Sequence, residues 1–494
     1  YGRVARHKGG NGSSLVDIDE LGRYYRGRKD ERRSKWQDKM PEATNWALSF
    51  EHCRESETTK HVHRLHPYKG KFIPQLAEYF LDRHTDRFKK KAIFAKEDLL
   101  LDPFCGSGTT LVQAAELGLH AIGVDVSPFN AFIANIKTGR FSIPAVERAS
   151  NRILHKLTSA SCHQETFQFD AELAQALSAF NREFFPSPEF KKKARSGEMD
   201  EKEYGQQKQR MFMRTYRKIV ARHNIDLEFS ATDTFIGKWF MPPLKEEIEL
   251  AKREIDQQPD AAIRDLLKLI LSRTVRSCRA TTHSNLATLD QPVNYPYYCN
   301  KHGKICRPVL SIISWWKRYA ADTIARLVEF DRLRSASHQA CLAADSRTAD
   351  LAALTKGAHP QLHRLLKDKK VRGIFSSPPY VGMIDYHEQH SYAYELFDFP
   401  RYDCDEIGPL AHGKGLAART RYVEAIAAVL QNCQRFMVAD CDVLLVANDQ
   451  FGLYRQIAER VQMKIVQEHI RPVLNRSERD QGAYSETIFH LKRS

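Results

Sequence analysis

A chain of 494 residues exceeds what one hydrophobic core organises, so about two or three domains are expected. Apolar residues at 42% and aromatic residues at 10% exclude a disordered or low-complexity chain, and no run approaches the ~18–20 uninterrupted apolar residues of a membrane span. Lys and Arg number 76 against 61 Asp and Glu, and the net charge of +15 favours a polyanionic partner through phosphate neutralisation.

Residues 1–60 are polar, with basic groups dense from Arg23 to Arg33, and predict a basic arm that either contacts a polyanion or is solvated surface. Within 61–141, Gln75 to Arg83 reads as helix and Leu99-Leu100-Leu101 as a strand. The strand leads into Asp102-Pro103-Phe104-Cys105-Gly106-Ser107-Gly108 and then an amphipathic run from Thr110 to Leu117, which together read as strand, tight turn, helix. Glycines at such a turn let the backbone approach a ligand that a Cβ would push away. Ala121 to Asp125 forms a second strand closed by an acid, and Ser127-Pro128 opens another helix through Asn135. The 23 positions from Asp102 to Asp125 make one strand–helix–strand unit of a doubly wound sheet, whose ligands sit at the carboxyl ends of the strands. The turn lacks a full GxGxxG, so a dinucleotide is not expected.

Residues 142–340 are largely helical by periodicity, at Glu147–Leu157, Ala171–Phe180, Met211–His223, Lys245–Asp256, Ala261–Thr274 and Pro308–Leu333. Basic groups are dense here, Lys191, Lys192 and Arg214 among them, and Arg273, Arg276 and Arg279 alternate with small residues. Arginine forks match guanine edges and phosphates, so this insert is the candidate target-recognition region; the alternative is a helical scaffold whose charges face water. Cys278, Cys299, His302 and Cys306 supply a zinc-compatible ligand set, but the spacing is loose and Cys278 lies 21 positions before Cys299. They are read with the other cysteines, ten in all, as free thiols of a reducing cytoplasm, with no metal assigned.

Residues 341–494 return to alternating elements. A strand ends at Asp345, an apolar strand from Val371 to Phe375 leads into Ser377-Pro378-Pro379-Tyr380, and a helix is expected over Ala417–Met437. Strands at Val443–Ala447, Lys464–Ile470 and Thr487–Leu491 follow, with Asn448-Asp449 closing the first; Arg471, Arg476 and Arg479 form a basic tail.

Taken together, the FxGxG turn, the acid-closed strand, the serine-proline-proline-tyrosine tetrad and the segment His66 to Pro74 resemble the amino-directed, S-adenosylmethionine-dependent DNA methyltransferases. The resemblance covers roughly 60–141 and 341–494. It implies an α/β fold: a Rossmann-like class I methyltransferase with a mostly parallel seven-stranded sheet, plus a large, mainly helical insert. The chain then divides into the arm 1–60, a cofactor-binding half 61–141, a recognition insert 142–340 and a catalytic half 341–494. The resemblance further implies that Tyr68, Lys71, Phe72, Asp102, Pro103, Phe104, Cys105, Gly106, Gly108, Thr109, Asp125, Val126 and Asp345 hold S-adenosylmethionine. Asp125 would take the ribose hydroxyls and Asp345 would stand near the adenine. The tetrad appears in the serine form typical of N4-cytosine enzymes.

An exocyclic amino group is a poor nucleophile because its lone pair is delocalised into the ring. The Ser377 hydroxyl and Pro378 carbonyl can accept its hydrogens, the Pro378 and Pro379 rings stiffen the turn, and Tyr380 can stack on a base swung out of the duplex. No Pro-Cys dipeptide occurs, which argues against ring-carbon methylation through a cysteine nucleophile. The expected function is N4-cytosine methylation of double-stranded DNA by a cytoplasmic, nucleoid-associated bacterial enzyme paired with a restriction endonuclease, without a membrane partner. N6-adenine methylation, an RNA-directed amino methyltransferase and a non-catalytic DNA-binding subunit remain as alternatives.

Overall fold

Leu99, Leu100 and Leu101 are each no more than 1% exposed, as expected of a central strand covered on both faces. Leu99 and Leu101 enter one core with Ile122, Ile374 and Ile426, while Leu100 enters the opposite core with Phe80, Ala121 and Phe375. The computed structural model describes residues 36–160, 164–229, 234–285, 289–474 and 484–494. The basic run from Arg23 to Arg33 and the residues Arg476 and Arg479 lie outside the described residues.

The strands in chain order are β1 (Leu99–Asp102), β2 (His120–Asp125), β3 (Tyr297–Cys299), β4 (Lys304–Cys306), β5 (Gln339–Ala343), β6 (Val371–Ser376), β7 (Met437–Ala447), β8 (Met463–Pro472) and β9 (Ser485–Arg493). Seven of them form one sheet in the order β5-β2-β1-β6-β7-β9-β8. All its pairings are parallel except those of β9, which runs against both β7 and β8. The fold is therefore the Rossmann-like, mostly parallel seven-stranded sheet expected of a methyltransferase. The chain steps outward from β1 to β2 and β5 on one side and to β6 and β7 on the other, which makes the β1/β6 junction the switch point where such sheets bind ligands.

Helix Thr109–Leu117 starts from Gly108 and stops at Gly118, both in the left-handed region. Helix Pro128–Thr138 starts with the Ser127 side chain accepting from the Asn130 backbone and a proline in its first turn. On that helix the Asn135 amide donates to the Cys341 carbonyl and accepts from the Cys341 N–H, both at 2.8 Å, which satisfies a peptide on the outer strand β5.

The insert contains long helices at Ile143–Ser159, Gln164–Phe184, Glu201–His223, Pro242–Asp256, Ala261–Ser277 and Ile313–Asp331. Five exceed their expected lengths, Gln164–Phe184 and Glu201–His223 the most, because polar stretches hide the period in sequence: in Glu201–His223 only Gly205, Phe212, Tyr216 and Ile219 are buried. One apolar cluster joins Ile153, Leu266 and Trp316 of the insert to Phe129 and Ile133 of helix Pro128–Thr138 and to Tyr392. The insert thus shares its core with the cover of the sheet. Among the described residues no helix is long and apolar enough to cross a membrane.

Gly123 on β2 tests how closely the turn after β1 lies on the sheet. A Cβ there would stand 2.4 Å from Cys105 Sγ and 2.9 Å from its Cβ. Gly123→Ala is expected to lower unfolding stability by about 1–3 kcal/mol through overpacking, read by urea denaturation. A change of only about 0.3 kcal/mol would mean that the turn does not lie against β2.

Candidate active site

The carboxyl ends of β1, β2, β5 and β6 open into one cavity, and each supplies a loop to its wall. From β1 come Pro103, Phe104, Cys105, Gly106, Ser107 and Thr109; from β2 come Asp125, Val126 and Asn130. Asp345 and Ser346 follow β5, and Ser377 and Pro379 follow β6. Tyr68, Gly70, Lys71 and Phe72 form a further wall with Tyr386, and Asp405 to Ile407 close it.

Gly106 has φ +51°, and a Cβ would reach 3.0 Å from the Tyr68 hydroxyl and 3.2 Å from its ring. Only glycine lets the turn pass under that tyrosine. The turn is fixed from the far side by Asp125, whose Oδ2 accepts from Gly106 N at 2.7 Å while Oδ1 accepts from Ser127 N at 2.9 Å and Asn130 Nδ2 at 3.1 Å. Oδ2 keeps a lone pair for a hydroxyl donor in the cavity. Burial pushes the Asp125 carboxyl above its ordinary range, opposed by the N–H donors of Ser127, Asn130 and Gly106. Beneath the turn, fully buried Lys137 donates from Nζ to the Ser107 carbonyl at 2.7 Å. Lys71 donates to the His63 carbonyl at 2.7 Å, and burial lowers its ammonium to about 8.

Eleven of the thirteen expected cofactor residues line the cavity: Tyr68, Lys71, Phe72, Pro103, Phe104, Cys105, Gly106, Thr109, Asp125, Val126 and Asp345. Asp102 and Gly108 do not. Asp102 is 2% exposed and turned into the sheet, where it accepts from the Ser376 hydroxyl and from Phe104 N at 3.2 Å. Gly108 backs onto helix Pro128–Thr138, where a Cβ would meet that of Ala134 at 2.8 Å. Asp345 reaches the cavity but is held by Arg347 at 2.7 Å, which also pairs with Asp405 at 3.2 Å.

The tetrad divides two spaces. Ser377 and Pro379 face the first cavity, Pro378 is buried, and Tyr380 lines a second cavity with Tyr422, Asn448, Asp449, Phe451 and Tyr484. The Tyr380 hydroxyl donates to Glu486 Oε1 at 3.0 Å, and burial, reinforced by Glu486, raises it well above the ordinary phenol range.

A wide cleft beside the first cavity shares Tyr68 with it and carries Lys69, Lys238, Arg276, Arg279 and Arg401. The expected recognition residues divide accordingly. Arg276 and Arg279 line the cleft, with Arg279 Nε donating to the Arg276 carbonyl at 2.9 Å. Lys192 and Arg214 are exposed on other helices. Arg273 is corrected to a structural cation: buried, paired with Asp322 at 2.6 Å and lying over the Tyr319 ring. Lys191 is likewise tied, to Glu201 and the Asn300 carbonyl, both at 2.5 Å. Arg471 of the basic tail is buried beside Glu486 at 3.6 Å. Cys278 is buried in the helical core, away from Cys299, His302 and Cys306, which gather with His283 instead.

Sequence reasoning missed Gly70, Ser107, Asn130, Ser346 and Asp405 to Ile407 in the cavity wall. Asn130 had a readable signal, two positions beyond Ser127-Pro128 at the start of a helix that faces the strand ends. The acidic loop had none. Its Glu406 accepts from His387 N at 2.7 Å and Tyr386 N at 3.1 Å, holding Tyr386, which packs on Tyr68 with ring centroids 6.1 Å apart.

A family model described as DNA methylase, for N6 and N4 methyltransferases, matches residues 17–135. The Type II methyltransferase M.MjaII of Methanocaldococcus jannaschii is 43% identical over 496 aligned positions, covering 100% of this chain and 91% of its own length. M.MvaI of Kocuria varians is 32% identical over 112 positions, 23% of each chain. M.BsoBI of Geobacillus stearothermophilus is 28% identical over 101 positions, 20% of this chain and 18% of its own.

Burial raises Asp102 from its ordinary 3.8 to about 6, against hydrogen bonds from Ser376 and Phe104. A carboxyl raised on folding binds more protons in the native state, so stability falls as pH rises from about 4 through 6. Asp102→Asn removes that titration. The variant is expected to gain on the wild type across this window by on the order of 2–3 kcal/mol, read by urea unfolding at a series of pH values. A difference that stays flat with pH would refute the buried titration.

Proposed function

This chain belongs to the N6/N4 family of DNA methylases, with S-adenosylmethionine as methyl donor, and from that premise we propose that it methylates the exocyclic N4 amino group of a cytosine turned out of duplex DNA. The observation that carries the reading is the first cavity, where Ser377 and Pro379 stand on the same wall system as Gly106 and Asp125. The residues fit the donor: the Gly106 turn offers bare backbone under Tyr68, and Asp125 offers an acceptor of the kind a ribose hydroxyl needs. When bound, S-adenosylmethionine supplies an electrophilic methyl carbon on a positively charged sulfur.

The base stacks on Tyr380 with its amino group directed past the tetrad to Ser377 in the wall of the first cavity. The Ser377 hydroxyl and the Pro378 carbonyl accept the amino hydrogens and draw the nitrogen lone pair out of conjugation, toward the first cavity. With the donor in place, the new bond would join that nitrogen to the methyl carbon as the carbon–sulfur bond breaks, and the surplus amino proton would leave to water. Alignment of the two reactants, rather than a strong base, carries the rate. Arg276 contacts the phosphates beside the flipped nucleotide, braced by the buried Arg279 at the cleft wall, while Lys192 and Arg214 add outlying contacts. The serine in the first tetrad position favours cytosine over adenine. M.MjaII is named as a Type II methyltransferase, which supports a modification role beside a restriction endonuclease, acting on DNA in the cytoplasm.

The test is nucleoside analysis of duplex DNA after incubation with enzyme and labelled donor. N4-methylcytosine is the expected product, N6-methyladenine would overturn the base assignment, and label passing to RNA alone would overturn the substrate. Ser377→Ala is expected to lower kcat by about 100-fold or more with donor binding unchanged. Tyr380→Ala is expected to do the same chiefly through base placement. Asp125→Ala is expected to weaken donor binding by about 10–100-fold in calorimetry, the loss of a hydrogen bond to a charged group. Specific DNA binding without any methylation by the wild type would favour a non-catalytic subunit.

A further inference from the structure

Strands β3 and β4 form an isolated two-stranded hairpin in the insert, with Tyr297 opposite Cys306 and Cys299 opposite Lys304. The Asn300-Lys301-His302-Gly303 turn folds back so that His302 N and Gly303 N both donate to the Cys299 carbonyl, at 3.1 and 2.7 Å, with Gly303 at φ +60°. This brings Cys299, His302 and Cys306 to one side of the hairpin. His283, from the loop after helix Ala261–Ser277, completes the set, and the four ligand atoms lie within 4.8 Å of one another.

We propose that His283, Cys299, His302 and Cys306 bind a structural zinc ion. With zinc bonds of about 2.3 Å to sulfur and 2.0 Å to nitrogen, a tetrahedral nitrogen–sulfur edge is about 3.5 Å long. Two edges bracket that length: His302 Nδ1 lies 3.4 Å from Cys306 Sγ, and His283 Nδ1 lies 3.7 Å from Cys299 Sγ. Both cysteines are free and buried, and the histidines reach toward solvent. The Tyr297 hydroxyl accepts from His283 N at 3.0 Å, so the strand that carries Cys299 also holds the backbone of the fourth ligand. Binding releases the two thiol protons, and two thiolates balance the charge of one divalent ion.

On one face the hairpin carries only the small cluster of Val293, Tyr297, Cys299 and Cys306, which the ion would close, while Ile305 and Tyr298 on the other face pack into the helical core. The surrounding structure also bonds to it. Asn181 of helix Gln164–Phe184 bonds both the N–H and the carbonyl of Ile305 at 2.9 Å, and Gln209 of helix Glu201–His223 accepts from Tyr298 N at 2.9 Å. From the same hairpin the chain runs back through Val293, which bonds Ala280, to Arg279 in the wall of the basic cleft. The ion therefore fastens two long helices to the segment bordering the cleft. The other gathering of this kind, His61, His63 and Glu116, is already committed, because Glu116 pairs with Lys60 at 2.7 Å and with His61 at 2.9 Å.

Elemental analysis of the full-length protein, purified without chelator or added metal, tests the site. One zinc per chain is expected in the wild type. His283→Ala and the double variant Cys299→Ser/Cys306→Ser are expected to lose most of it, and Cys278→Ser to keep it. To guard against misfolded variants, the wild type is also produced in cobalt-supplemented medium, where the visible absorption of tetrahedral, thiolate-bound cobalt is expected. A folded wild type holding no more zinc than the double variant would overturn the proposal, as would cobalt protein lacking that absorption or loss of metal in Cys278→Ser but not in His283→Ala.

Discussion

The parallel pairing of β1 with β6, Leu101 beside Ile374, brings two stretches of chain some 270 positions apart to one edge of the sheet. The pairing is reinforced at its end by the Ser376 hydroxyl on Asp102 and, one turn further, by the Thr110 hydroxyl on the Phe375 carbonyl at 3.2 Å. Because both bonds are buried, they are costly to leave unmade and so fix the register of the two strands. The glycine turn and the tetrad inherit their relative position from that register. Asp125 then sets the turn's height above the sheet through Gly106, and Lys137 holds it from below.

Local chemistry made the centre of the sheet readable. Leu99 to Gly108 announces a buried strand and a tight turn within ten positions, and the acid of Asp125 falls where the next parallel strand must end. Asp102 shows where such reading stops. A carboxylate closing a strand has two neighbours to choose from, the ligand above and the next strand beside it, and only the β6 pairing reveals that Ser376 takes it. The same holds for Arg273 and Arg276. They stand three positions apart on one helix, but Asp322 on a helix some fifty positions later captures the first and leaves the second facing the cleft. His283 was invisible for a related reason, since nothing near it in sequence is a ligand and the hairpin that carries the sulfurs was not foreseen.

The helical insert is tied to the sheet's cover by a continuous core, from Phe129 and Ile133 to Leu266 and Trp316. That continuity has a mechanical meaning for the cleft. Arg276 sits in the last turn of a helix whose Leu266, Leu267, Leu269, Ile270, Leu271 and Val275 are packed into this core, and Arg279 sits just beyond its end. Their position relative to Tyr68 is then set by close packing instead of by a hinge.

Ser377 and Pro379 border one cavity, whereas Tyr380 and Val381 border the other, so a single turn of chain is a partition with two working sides. In the proposed reaction the spent donor departs on one side while the polymer stays engaged on the other. Each reactant of the proposed reaction then has its own side of that partition.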